Sequence, residues 1–111
     1  MSRTTALLLL LLAALLEAGG DALVRSGLRT STLPVRFALF GAGGLVLFCY
    51  GFVVNAPSWD FGRVLGIYVV FFFVIAQLIS WLAFGQPPSR ATVIGGAFIV
   101  LGGAIISMWS N

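Results

Sequence analysis

Glu17, Asp21 and Arg25 stand at four-residue intervals in the stretch LLEAGGDALVR, residues 15–25, which directly follows the apolar run ALLLLLLAA. A helix turns about 100° per residue, so each step of four displaces a side chain by only about 40° and all three groups share one face. Ala13, Ala14, Gly20 and Val24 lie on the same face. It is a stripe of small residues with charges among them, and turned toward lipid it would cost several kcal/mol per ion, so it must meet protein or water. Along the axis Glu17 lies about 21 Å from Arg3 and about 18 Å from Arg29, close to mid-membrane if those arginines mark the two interfaces. Asp21 and Arg25 lie nearer one surface. Their spacing suits an ion pair that glues helices, and Arg25 is also long enough to snorkel to headgroups. Glu17 has no basic residue one turn away. Burial of a carboxylate favours its protonated form, and an ionisable group deep in a membrane segment is by default a functional one, so proton exchange is the chemistry to expect of it.

The elements that must position these groups follow from the apolar runs. Of the 111 residues 60% are hydrophobic and only 8% charged, more apolar surface than a soluble domain of this size can bury. Four runs near the ~20 residues of a membrane span predict helices over about 5–27, 37–56, 61–84 and 91–110. The separators RTSTLPVR, NAPSWD and GQPPSR carry proline and read as loops. None of the runs alternates as a barrel strand would. The fold class is an all-α membrane protein, one domain of four transmembrane helices in a compact bundle. A signal peptide is the rival for the first segment. Its candidate cleavage site places bulky Leu16 at −3 before Ala18, which favours a retained helix.

Several function classes are excluded or disfavoured. All six basic residues are arginine, and a net charge of +3 scattered along the chain is no nucleic-acid footprint. There is no histidine, and Cys49 is the one cysteine, so His-bearing metal sites and intrachain disulfides are ruled out and no metal or cofactor is expected. No nucleophile elbow or phosphate loop supports an enzyme. In the last span GGAFIVLGG sets Gly95 and Gly102 seven residues apart on one face, with Gly96 and Gly103 beside them. Such glycines let helix backbones approach closely in lipid, between chains or within one.

These residues carry a resemblance. LISWLAFGQPPSRATVIGGAFIVLGGAIIS is similar to the third-helix end, FGQ loop and fourth helix of the small multidrug resistance (SMR) family, within the drug/metabolite transporter superfamily. LLEAGGDALVRSG resembles that family's first helix through Glu17, Gly20 and Arg25, and Gly95 and Gly102 match its seven-residue dimerisation glycines. GRV at Gly62–Val64 resembles a related four-helix family, the YnfA-like proteins. The resemblance implies an antiparallel homodimer in the bacterial inner membrane. Its two Glu17 carboxylates would bind protons and a small cationic substrate in alternation, with the proton as coupling ion and export as the outcome. It also implies an aromatic substrate contact at Tyr68. Drug-exporting members carry Tyr where Leu65 stands and a small uncharged residue where Asp21 stands. An added acid suits a polar cation such as an amine or guanidinium, while Arg25 leaves zwitterions and lipid headgroups open. The competing reading is an accessory subunit that stabilises a heteromeric partner and transports nothing alone.

Arginines bear on orientation. The side of the first and third loops holds Arg29, Arg36 and Arg90, with Arg25 near the edge, against Arg3 and Arg63 on the other. Four against two favours the first loop in the cytoplasm; without Arg25 the bias is small enough for insertion both ways, which an antiparallel dimer of one sequence needs.

Overall fold

The computed structural model describes residues 1–109 and folds them into four α-helices: α1 (Arg3–Arg29), α2 (Leu33–Val54), α3 (Phe61–Phe84) and α4 (Arg90–Met108). Each is long and apolar enough to cross a membrane. No strand occurs among the described residues. The expected end of the last helix at 110 lies outside them.

Local chemistry sets the helix limits. Ser2 and Ser89 cap α1 and α4, their hydroxyls accepting from the Thr5 and Thr92 N–H at 3.1 Å each. α2 begins at Leu33, four residues before the expected start. Pro34 reads as a loop residue in sequence, but in the first helical turn proline lacks only an N–H that would be unpaired anyway. Gly85 ends α3 at φ 64°, the one positive φ among the described residues, and its N–H and that of Gln86 return to the carbonyls of Trp81 and Ser80.

Arginines close two C-termini. Arg36 reaches back from α2 to donate to the Gly27 and Thr30 carbonyls at 3.2 and 2.8 Å, satisfying the open end of α1. Arg3 and Arg63 converge on the end of α4, where they donate to the Ile106 and Ser107 carbonyls and the Ser107 hydroxyl. Helix C-termini carry partial negative charge, so each placement is also electrostatically favourable.

The four helices form the expected all-α bundle. α1 packs against both α2 and α3, and α4 packs against α3. The helices together extend 52, 34 and 18 Å along the principal axes. Its core is small: Leu10, Ala13 and Ala14 of α1 pack with Val54, Val64, Ile67 and Tyr68. Large apolar side chains such as Leu82, Phe98 and Phe52 are 80%, 71% and 69% exposed. In water that surface would drive aggregation; in a bilayer it is the surface lipid or another membrane chain requires.

Glycine sets the tightest helix contact. A Cβ on Gly43 would stand 3.0 Å from the Gly20 carbonyl oxygen and 3.2 Å from the Val24 nitrogen, both backbone. α1 and α2 therefore touch backbone to backbone, which only glycine allows there.

Candidate functional site

Glu17 lies in the middle of α1, half-buried, on the side that meets α3. Tyr68 of α3, 4% exposed, aims its hydroxyl at this carboxylate, 2.8 Å from Oε1 and 3.3 Å from the Ala13 carbonyl oxygen. Sequence dictates the meeting. Ala13 and Ala14 leave room on the α1 face for a large side chain, and the phenol occupies it with Val64 and Ile67 packed alongside. Among the described residues no arginine pairs with Glu17.

This arrangement can follow the proton. Tyrosine carries one hydroxyl hydrogen. With Glu17 charged, that hydrogen goes to the nearer carboxylate oxygen. With Glu17 protonated, the carboxyl O–H donates to the phenol oxygen instead, and the phenol hydrogen turns to the Ala13 carbonyl. Both protonation states keep a full set of hydrogen bonds, which a buried polar group in lipid requires. Tyr68→Phe removes the donor and keeps the ring. The charged carboxylate then loses a hydrogen bond to an ionised group, and at a fixed pH cation binding is expected to weaken about tenfold or more. Titration calorimetry at one pH with guanidinium checks this, and unchanged affinity would deny the phenol its role.

Aromatic rings adjoin Tyr68. The Tyr50 ring of α2 lies 5.7 Å from Tyr68, tilted by 37°, and Phe72 stacks on Tyr68 at 6.1 Å. A cation at Glu17 would thus meet aromatic faces as well as a carboxylate. Tyr50 and Phe72 were not among the residues expected from sequence. Phe72 was within reach of it, four residues after Tyr68 on one face of α3; Tyr50 was not, because nothing local says which faces of α2 and α3 meet. Leu65 is partly buried against the core.

One and two turns further along α1, Asp21 and Arg25 are both exposed. No ion pair joins them among the described residues. The Arg25 guanidinium lies over the Phe84 ring instead, 5.3 Å from its centroid. Together with Phe72, Ser80 and Gln86 they line a cavity of about 270 Å³ between α1 and the end of α3. The first helix therefore brings Glu17 to Tyr68 and sets Asp21 and Arg25 in a separate space beside them.

The glycines of α4 divide. A Cβ on Gly96 would strike the Phe73 ring at 2.5 Å, and one on Gly103 would strike Val70, so these two pack on α3 within the chain. Gly95 and Gly102 meet nothing within 4 Å and face away from it.

Four apolar spans, a lipid-compatible exterior and a mid-span carboxylate define a multi-pass membrane protein with a polar site inside its apolar layer. The chain belongs to the YnfA/UPF0060 family, described as "Uncharacterised BCR, YnfA/UPF0060 family", whose pattern matches residues 3–111. It is 35% identical to a UPF0060 membrane protein of Herpetosiphon aurantiacus over 94% of both chains. It is also 38% identical to one of Mycobacterium marinum, over 94% of this chain and 92% of that one. Identity to the UPF0060 membrane protein YfjF of Bacillus subtilis is 37%, over 94% and 93%. No solved structure matches.

Proposed function

We propose that this protein is a proton-coupled exporter of small polar cations, akin to the small multidrug resistance transporters, working as an antiparallel homodimer in the bacterial inner membrane. The observation that carries the reading is the Glu17–Tyr68 pair: a mid-span carboxylate with no cation of its own, held by a phenol that can serve either protonation state. Proton and cation compete for one carboxylate, so loading one expels the other, and an inward proton gradient drives the cation out. The substrate class is an amine or guanidinium, because Asp21 adds acidity near the site and Leu65 leaves one aromatic surface fewer than the drug exporters have. Guanidinium flux from liposomes, with and without a pH gradient, tests this. Efflux that ignores the gradient would remove the coupling, and no flux from a chain that copurifies with a second membrane protein would favour the accessory-subunit reading.

The partial exposure of Glu17 supports dimerisation. Within one protomer this carboxylate is only half-buried, and a charge in lipid requires cover. Gly102 meets no neighbour within its own chain. Gly102→Ile is therefore expected to leave the protomer folded and weaken self-association in detergent, whereas Gly103→Ile disturbs α3–α4 packing. Sedimentation of the two variants separates these outcomes, and a fully dimeric Gly102→Ile protein would place the dimer contact elsewhere.

Antiparallel pairing of one sequence requires both orientations. With Cys49 replaced by serine, single cysteines at the exposed loop positions Ser31 and Ser58, on opposite membrane sides, are each expected to label from outside in part of the population. Labelling confined to one of them contradicts the dual insertion.

A further inference from the structure

Asp21 and Arg25 line the same cavity without neutralising each other. Their spacing permits a direct ion pair, yet the guanidinium is drawn to the Phe84 ring at the end of α3. The last turn there is held by the Gly85 bend and by the Ser80 hydroxyl, which donates to the Gln86 carbonyl at 3.1 Å. The cavity therefore presents a carboxylate at one place and a guanidinium one helical turn further on, in a lining that also holds Ala22, Phe72 and Ile79. A lone cation entering it meets Arg25, and a lone anion meets Asp21. A molecule carrying both charges satisfies both: its ammonium donates to the Asp21 carboxylate, and its anionic group accepts from the guanidinium, whose N–H donors stay available while its face rests on a ring. At about 270 Å³ the space is below the ~300–1,000 Å³ of sites for drug-sized ligands, so the solute is small.

We propose that the Asp21–Arg25 cavity is a second binding station, separate from the Glu17 site, for a small zwitterion that carries an ammonium and a carboxylate or phosphate a few bonds apart. This goes beyond the cation-exchange reading, since the station binds its ligand whether or not Glu17 exchanges protons. The same pair of charges occurs on a free amino acid and on a zwitterionic lipid headgroup, and the cavity lies toward the membrane surface where both are present.

The test uses the full-length protein in phosphatidylglycerol nanodiscs and three probes of equal chain length: 4-aminobutanoate, butylammonium and butanoate. Calorimetry is expected to give saturable binding of 4-aminobutanoate, at least about tenfold tighter than either single-charge probe, since each of these forgoes a charge-assisted hydrogen bond. Asp21→Asn and Arg25→Gln, both at exposed positions, are each expected to bring the affinity down to that level, while Arg25→Lys keeps most of it. Glu17→Gln is expected to lose pH-dependent guanidinium binding and still bind 4-aminobutanoate, so failure of the exchange reading and failure of this one are told apart. In phosphatidylethanolamine nanodiscs, reduced 4-aminobutanoate affinity would identify the headgroup as competing occupant, and unchanged affinity would identify a free solute; either supports the station. It is overturned if 4-aminobutanoate shows no saturable binding, if butylammonium binds equally well, if the Asp21 and Arg25 variants bind normally, or if Glu17→Gln abolishes the binding.

Discussion

Glu17→Gln is expected to abolish both proton-driven cation flux and pH-dependent cation binding, while the protein still folds and self-associates. The amide keeps the shape of the carboxyl group and accepts the Tyr68 hydrogen bond through its oxygen, so the α1–α3 contact has no reason to open. What disappears is the exchangeable charge. On the proposed mechanism a cation requires the charged carboxylate, so cation binding is expected to compete with protons in the native protein and not in the variant. Asp21→Asn is expected to weaken or retune the same activity without ending it, because Asp21 is exposed and lines the neighbouring cavity instead of contacting Tyr68. Normal transport by Glu17→Gln together with a dead Asp21→Asn would reverse the two roles. Normal transport by both would make the acids structural.

The second large effect concerns folding. Gly43→Leu is expected to unfold the α1–α2 pair or leave too little protein to purify. The new Cβ would stand 3.0 Å from the Gly20 carbonyl oxygen and 3.2 Å from the Val24 nitrogen, and backbone cannot step aside as a flexible side chain can. Relief requires the two helices to separate, which opens the most extensive contact of a chain whose core is small. Overpacking of this kind costs about 1–3 kcal/mol or more, and in lipid no hydrophobic drive between helices offsets it. Gly44→Leu is the control: Gly44 is exposed and has no neighbour within 4 Å, so it should be tolerated. Thermal unfolding in detergent compares the pair, and equal stabilities would mean that the backbone contact is not what holds α1 to α2.

Why some of this is legible in sequence and some is not follows from where the information lies. Four spans are legible because lipid imposes one local rule on every window of ~20 residues, with proline and glycine marking the breaks. The start of α2 is less so, because Pro34 reads equally as a loop residue and as a first-turn residue, and the return of Arg36 to the Gly27 and Thr30 carbonyls depends on how two helices meet. Glu17 stands out because charge inside an apolar run is conspicuous without any knowledge of packing. Tyr68 enters through resemblance, and only the fold gives its hydrogen bond to Glu17. Periodicity suggests an Asp21–Arg25 ion pair, but Phe84 is 59 residues downstream of Arg25 and captures the guanidinium through tertiary contact alone. The α4 glycines make the same point. Their spacing places them on adjoining faces, and only the position of α3 separates the inward pair, Gly96 and Gly103, from the outward pair, Gly95 and Gly102.

If one carboxylate trades a proton for a cation, the released proton itself can be followed. Purified protein in weakly buffered detergent solution is mixed with guanidinium, and the pH of the solution is followed. The expected result is an acidification that saturates with guanidinium binding, is absent in Glu17→Gln and persists in Asp21→Asn. Guanidinium binding without proton release, or release that survives Glu17→Gln, contradicts it.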